Sequence, residues 1–135
     1  MPYTDNFRTQ HDDILRVAGE ITDKLKKEPD AAVLRKLLST LAGKVNFHLA
    51  MEDKALYPRL METKDAGTKT LATRFMTEMG SLGGVFAAYN SKWQISAIRS
   101  DPAGFSKETQ AVFSALAKRI ARENAELYPL ADRSS

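Results

Sequence analysis

Hydrophobic residues recur along this chain at steps of three and four, which is the spacing of an amphipathic helix. No segment alternates apolar and polar residues as a half-buried strand does. The pattern predicts four helices, from about Asp5 to Lys27, Ala31 to Leu56, Thr68 to Arg99 and Ser106 to Tyr128. Because the connections between them are short, we expect an all-α, antiparallel up-down four-helix bundle that occupies residues 1–135 as a single domain.

Breaks in the pattern set the expected helix ends. The polar connections lie at residues 28–30, 63–67 and 100–104. Pro29 disfavours helical geometry at the residue before it, and Asp30 can cap the helix that follows. Pro58 either ends the second helix or bends it into a continuation that reaches about Glu62. We expect residues 131–135 to form a frayed tail.

Composition narrows the classes of partner. Twenty Lys and Arg residues against seventeen Asp and Glu residues give a net charge of +3, and the two signs are interspersed, so no nucleic-acid partner is expected. No apolar run has the length of a membrane span, and we expect a cytoplasmic protein with no membrane partner. The chain has no Cys. Any metal ion would therefore be bound mainly through nitrogen and oxygen.

The candidate chemistry lies inside the apolar seams of the first two helices. His48 and Glu52 are four residues apart, so they share one helix face. His11 lies on the inner seam of the first helix. The seam around the pair also contains Leu34, Leu38, Leu41, Val45 and Ala55. A core imidazole or carboxylate is unfavourable unless it has a polar partner or binds an ion. These residues therefore indicate either a metal site or a buried polar network.

One internal repeat is visible. Glu52–Pro58 reads Glu-Asp-Lys-Ala-Leu-Tyr-Pro, and Glu123–Pro129 reads Glu-Asn-Ala-Glu-Leu-Tyr-Pro, 71 positions later. The repeat suggests that the third and fourth helices are a copy of the first and second. It predicts that the carboxylate of Glu123 faces the same interior layer as that of Glu52.

The second copy lacks the histidines of the first. The same offset carries His48 onto Arg119 and His11 onto Leu82, with Met79 one turn earlier as the other candidate. A thioether is a poor ligand for a hard metal ion, and a guanidinium group stays protonated and cannot coordinate. Arg119 could instead supply a fixed positive charge beside the carboxylates.

Three features resemble the hemerythrin-like, or HHE cation-binding, family over nearly the whole chain. They are a His on the first helix, His-x-x-x-Glu followed by Leu-Tyr-Pro on the second, and the returning Glu motif on the fourth, at His11, His48–Pro58 and Glu123–Pro129. The resemblance implies a four-helix bundle that holds a non-haem di-iron centre, with histidines from all four helices and two bridging carboxylates. By position, His11 and His48 would bind one iron, and Glu52 and Glu123 would be the bridges.

The chain departs from this family pattern where the second iron would bind. His11 and His48 are its only histidines, while Met79 or Leu82 and Arg119 stand where the family supplies His. We therefore expect an incomplete ligand set and no full di-iron centre. The family resemblance implies oxygen, nitric oxide, redox or iron-related sensing and repair.

Two functional hypotheses remain. In the first, one ion, with ferrous iron favoured over zinc or manganese, is bound by His11, His48, Glu52 and Glu123 and serves sensing of a small diatomic molecule or of redox state. In the second, the protein binds no metal, Arg119 joins a polar network, and the bundle binds a small molecule or a protein partner. No nucleophile with a recognisable base and no phosphate-binding loop is present, so an enzyme is not predicted.

The remaining polar and small residues have structural interpretations. Tyr57 and Tyr128 are expected to pack at the bundle ends, with hydroxyl groups that reach water or the backbone. Glu78 is expected to be solvated. Gly80, Gly83 and Gly84 are unusual inside a helix. They either permit close helix packing, which is the favoured interpretation, or leave space for Arg119 or a small ligand.

Overall fold

The computed structural model describes residues 3–27 and 29–133, which are helical apart from short connections and contain no strand. The α-helices are α1 Asp5–Lys27, α2 Ala31–Met51, α3 Tyr57–Met61, α4 Ala66–Lys92, α5 Ile95–Ser100, α6 Pro102–Arg122 and α7 Tyr128–Arg133. Two five-residue π-helical turns, π1 Glu52–Leu56 and π2 Glu123–Leu127, join α2 to α3 and α6 to α7. The predicted all-α helical bundle is confirmed. None of the described helices is both long and apolar enough to cross a membrane.

The first two helical segments follow the predicted pattern closely. Helix α1 has the predicted bounds, and Asp30 caps α2 by accepting hydrogen bonds from the backbone N–H groups of Ala32 and Val33. Pro58 does not end the second segment, because π1 carries the helical path on to Met61. Glu28, which was expected to begin the break before α2, lies outside the described residues.

The third segment ends earlier than predicted. Helix α4 stops at Lys92, and Gln94 adopts an extended conformation before α5 begins. The indole N–H of Trp93 donates a 2.6 Å hydrogen bond to Glu108, and Arg35 donates a 2.8 Å hydrogen bond to the Trp93 carbonyl oxygen. The Arg35 bond satisfies a backbone carbonyl at the break, and the Glu108 bond holds the Trp93 side chain. The apolar periodicity of residues 95–99 belongs to the separate helix α5.

The fourth segment begins and ends outside the predicted bounds. Only Asp101 separates α5 from α6, and its carboxylate accepts a hydrogen bond from the Gly104 N–H. Residues 131–133 belong to α7 and are not frayed, since Ala131 is buried and Asp132 accepts hydrogen bonds from the Thr4 backbone N–H and hydroxyl group. Residues 134 and 135 of the expected tail lie outside the described part of the chain.

A polar layer divides the hydrophobic core into two clusters. The larger cluster includes Ile14, Val45 and Leu116, and the smaller one includes Phe7 and Leu127. The buried polar residues between them along the helices are His11, His48, Glu52, Arg119 and Glu123. The apolar clusters on both sides keep this layer away from water, so its electrostatic interactions are strong.

Candidate metal centre

The two π-helical turns position the carboxylates of the repeat. Each turn begins with a buried Glu, Glu52 in π1 and Glu123 in π2. The Tyr that follows each turn donates its backbone N–H to the carbonyl oxygen of that Glu, five residues earlier. A proline comes next; it has no N–H, and its ring would clash with the carbonyl four residues before it in a regular α-helix. The wider turn relieves this conflict, and such turns are frequent at functional sites.

Four predicted ligand residues meet in the polar layer. They are His11 from α1, His48 from α2, Glu52 from π1 and Glu123 from π2. One potential ligand atom of each lies within 4.8 Å of those of the other three, and all four residues are buried. The structure thus brings together side chains that are up to 112 positions apart in the sequence.

Within this group, each imidazole contacts a carboxylate. His11 Nε2 lies 2.9 Å from Glu123 Oε1, and His48 Nε2 lies 3.2 Å from Glu52 Oε2. His48 Nε2 is also 3.9 Å from Glu123 Oε1. Both imidazoles therefore turn the same nitrogen, Nε2, toward the carboxylates.

The other nitrogen of each imidazole is held by a side-chain amide. His11 Nδ1 lies 2.9 Å from Asn124 Oδ1, and His48 Nδ1 lies 2.7 Å from Gln10 Oε1. An amide oxygen only accepts hydrogen bonds, so each Nδ1 carries a proton and donates it. In a neutral imidazole this arrangement leaves the lone pair on Nε2, which is the form that a metal ion binds.

The electrostatics of the polar layer favour a positive charge. Burial by itself would lower the pKa of His48, but hydrogen bonds and charges of Glu123 and Glu52 outweigh burial and raise it to about 9. Burial would raise the pKa of Glu123, but His11 and His48 lower it to about 2. Burial, with the nearby charge of Glu123, raises the pKa of Glu52. Without a metal ion, the layer therefore holds a proton on His48 to balance its carboxylates.

Two carboxylate oxygens accept no hydrogen bond within the described part of the chain, although one of them, Glu123 Oε2, lies 3.8 Å from Arg119 Nε. Glu52 Oε1 and Glu123 Oε2 are buried and accept no hydrogen bond from the described residues. A buried acceptor left in this state is unfavourable by about 1–3 kcal/mol. The oxygens that face the imidazoles are the other two, Glu123 Oε1 and Glu52 Oε2. Two imidazoles with two carboxylates suit iron, zinc or manganese. The residues therefore fit one metal ion.

Tyr128 was missed as a member of this group. Its hydroxyl donates a 2.6 Å hydrogen bond to Glu52 Oε2 and lies 3.0 Å from His11 Nε2 and 3.3 Å from His48 Nε2. Its ring also stacks on that of His11, with 5.1 Å between centroids. Burial and the charges of Glu123 and Glu52 raise its pKa, so the hydroxyl keeps its proton. The expectation that Tyr128 packs at the end of the bundle was wrong.

Arg119 occupies the second half of the polar layer. Its side chain is 5% exposed, its guanidinium carbon lies 4.1 Å from the centroid of the Phe75 ring, and its Nη2 donates to the Phe75 carbonyl oxygen. Nη1 donates a 2.8 Å hydrogen bond to Glu78, and Nε lies 3.8 Å from Glu123 Oε2. Arg119 thus points inward as expected. In the described chain its ion pairs are with Glu78 and Glu123, and none with Glu52 is found.

Glu78 is a partner of two arginines, and its side chain stays 40% exposed. Its Oε2 accepts hydrogen bonds from Arg119 and, at 2.7 Å, from Arg122. Hydrogen bonding with Arg122 is the largest cause that lowers its pKa. No local pattern indicates this pair, because Arg119 and Glu78 belong to different helices, 41 positions apart.

A cleft of about 360 Å³ lies beside Glu52 on the side of α4, and its lining includes Tyr57, Met79 and Gly80. Met79 is buried, whereas Leu82, the other candidate for this place, is only partly buried. The Tyr57 hydroxyl is buried and has no hydrogen-bond partner among the described residues. An added Cβ at Gly80 would meet no atom within 4 Å, so this glycine faces open space and is not required for close packing.

A comparison with known protein families agrees with the arrangement of the four candidate ligands. The family described as Hemerythrin HHE cation binding domain matches residues 3–131. The chain has no match among curated proteins or among solved structures.

Proposed function

The chain belongs to the hemerythrin HHE cation-binding domain family, and we propose that it binds one non-haem iron ion through His11, His48, Glu52 and Glu123. We further propose that this site serves sensing of oxygen, nitric oxide or redox state. The observation that carries the proposal is the convergence of two imidazole Nε2 atoms and two carboxylates in one buried group, with ligand atoms within 4.8 Å of one another.

The side chains around the four ligands support this role. Asn124 and Gln10 accept hydrogen bonds from the outer imidazole nitrogens, and such partners fix the orientation of a metal ligand and increase its basicity. The apolar clusters above and below exclude water. The cleft beside Glu52 gives a small molecule a route toward the layer. When bound, iron would supply one-electron redox chemistry and a position for a diatomic ligand.

Arg119 supports binding of one ion and not two. Its guanidinium lies beside Glu123, in the half of the layer opposite to that of His11 and His48. It supplies a permanent positive charge there and no lone pair, so it repels a second cation and cannot coordinate one. Met79 adds only a thioether at the same side.

The first test removes one ligand. His48→Ala, prepared with iron supplied and without chelator, is expected to contain almost no iron, whereas Phe47→Ala should keep the wild-type content because Phe47 is exposed on the same helix. Iron would be counted by elemental analysis and folding checked by circular dichroism. Wild-type iron content in folded His48→Ala would refute the assignment of His48.

The second test concerns the number of ions. The double variant Met79→His/Arg119→His supplies imidazoles where the chain has a thioether and a guanidinium, and it is expected to bind a second ion. Met79→His/Arg122→His is the matched control, because Arg122 is partly exposed and lies next to the layer without entering it. An unchanged content in the first double variant would show that Arg119 is not what limits the site to one ion.

A metal-free binding module is the second candidate function. Direct contacts among the four candidate ligands and Tyr128 favour it, since Tyr128 and the imidazoles already pair with the carboxylates. In this case the bundle would bind a small molecule or a protein partner through another surface. Purified wild-type protein that is folded and contains no metal after growth with added iron would favour this function over the first.

A further inference from the structure

We propose that Tyr128 is a fifth ligand of the metal ion, bound through its phenolate oxygen. This inference rests on the proposed metal site and adds a ligand to it. The Tyr128 side chain is fully buried, and its oxygen lies within 3.3 Å of one atom from each of three of the four candidate ligands, His11, His48 and Glu52.

Distances around the Tyr128 oxygen support coordination. The oxygen is 2.6 Å from Glu52 Oε2, 3.0 Å from His11 Nε2 and 3.3 Å from His48 Nε2. Two metal–ligand bonds of about 2.1 Å that meet at 90–110° hold their donor atoms about 3.0–3.4 Å apart. The two imidazole distances fall in this range, so the oxygen stands to both nitrogens as a neighbouring ligand would. The shorter distance to Glu52 Oε2 is that of the hydrogen bond which the protonated hydroxyl donates.

Partners that only support a ligand occupy different places. Asn124 and Gln10 each contact a single histidine, and they do so at Nδ1, on the far side of the ring. Tyr128 contacts both histidines at Nε2, the nitrogen that faces the carboxylates. A hydroxyl that touches three ligand atoms on their metal-facing side is placed to coordinate the ion itself.

Coordination changes the protonation of Tyr128. In the absence of metal its hydroxyl donates a hydrogen bond to Glu52. On metal binding the O–H bond breaks, the oxygen binds the ion, and the proton is released to solvent, with no change of oxidation state. The positive ion replaces the proton as the group that balances the carboxylates.

Tyr57 provides the control inside the same chain. It is the repeat counterpart of Tyr128, it is also buried, and its hydroxyl has no hydrogen-bond partner among the described residues. It faces the cleft and the second half of the layer, where Arg119 lies. Removal of its hydroxyl should therefore leave the metal ligands unchanged.

The experiment uses the 135-residue chain loaded with ferric iron from ferric nitrilotriacetate. Phenolate bound to ferric iron gives a charge-transfer absorption band in the visible range, and resonance Raman excitation in that band enhances the vibrations of the tyrosine ring. We expect both signals in wild type and in Tyr57→Phe, and their loss in Tyr128→Phe. Iron binding to wild type should also release about one more proton than binding to Tyr128→Phe.

The outcomes separate this inference from the proposed function. Iron bound to wild type without the tyrosine signals would overturn the role of Tyr128 and leave the four-residue site standing. Persistence of the signals in Tyr128→Phe would likewise overturn the role of Tyr128 and leave the four-residue site standing. Wild-type protein that binds no ferric iron would overturn both. The wild-type Raman spectrum remains decisive if Tyr128→Phe does not fold.

Discussion

The two copies of the Glu-x-x-x-Leu-Tyr-Pro turn have the same backbone and different surroundings. Both π1 and π2 begin with a buried Glu and are followed by a buried Tyr. The hydroxyl of Tyr128 lies within 3.3 Å of three polar atoms, whereas that of Tyr57 has no hydrogen-bond partner among the described residues. The same local sequence thus builds a polar cluster at one site and an unpartnered hydroxyl beside a cleft at the other.

The difference arises from the residues that other helices bring to each turn. Helix α1 brings His11 to Tyr128, and the rings of these two residues stack. On the other side, Arg119 from α6 pairs with Glu78 and Glu123, and Met79 from α4 lines the cleft near Tyr57. A duplicated turn therefore supplies geometry, while the ligand chemistry depends on the side chains that face it. One half of the layer can bind a cation, and the other half contains a fixed one.

The largest expected effect tests whether Arg119 is part of the layer. Arg119→Met keeps most of the side-chain length and removes the charge next to Glu123, and we expect it to lower the unfolding free energy by about 3 kcal/mol. Arg122→Met is the control, because Arg122 is 41% exposed although it binds the same Glu78. Urea unfolding of chelator-treated protein measures both. Equal effects of the two substitutions would contradict the distinct role of Arg119.

The next effect tests the positive charge on the imidazole of His48. Its pKa is raised from 6.5 to about 9, so its contribution to stability is fully present below about pH 6.5 and is lost as the pH rises through about 9. The loss is at most about 3 kcal/mol. The groups that face His48 are His11, Glu52, Glu123 and Tyr128, with Gln10 behind its ring.

Urea unfolding of the metal-free protein at about pH 6 and about pH 10 measures this loss. His48→Gln should show a smaller decline, since the titrating imidazole is gone. Iron affinity should change in the opposite direction and increase with pH over the same range, because the ion competes with the proton for Nε2. A decline of equal size in His48→Gln would assign the effect to another group.

A smaller effect tests the support of the imidazoles. Gln10→Ala removes the acceptor of the His48 Nδ1–H, and we expect iron affinity to fall by about 10–100-fold. Thr9→Ala, at an exposed neighbouring position on α1, should leave the affinity unchanged. Competition with a coloured chelator measures both values. Unchanged affinity in Gln10→Ala would show that the outer hydrogen bond does not orient His48.

The smallest effect tests the cleft beside the second half. Gly80→Leu should fill the cleft and slow iron transfer to an added chelator a few-fold without changing the final iron content, because the added side chain enters open space. Gly84→Leu is the matched control, since Gly84 is an exposed glycine of the same helix that does not line the cleft. Stopped-flow absorbance follows the transfer. Equal rates in both variants would exclude the cleft as the route.

Much of the fold followed from periodicity, and its failures have a tertiary cause. Helix α1 and the start of α2 were predicted because their apolar seams and the Asp30 cap are local signals. The break after Lys92 was missed because residues 95–99 continue a helical pattern. The hydrogen bonds that stabilise this break involve Arg35, which donates to the Trp93 carbonyl oxygen, and Glu108, which accepts from the Trp93 indole; both belong to other helices.

The sequence allowed four residues of the candidate site to be predicted. His11, His48, Glu52 and Glu123 could be identified from spacing and family resemblance. Tyr128 could not, because in an α-helix a residue five positions after Glu123 points to another face. The wider turn of π2 brings it round toward the same face, and the Glu-to-Tyr spacing before a proline was the available signal.

The most direct test of the central claim is the iron content per chain of wild-type protein that is expressed with iron supplied and purified without chelator. The account predicts close to one iron per chain. Folded protein without iron would contradict the metal site, and close to two irons per chain would contradict the exclusion of a second ion by Arg119.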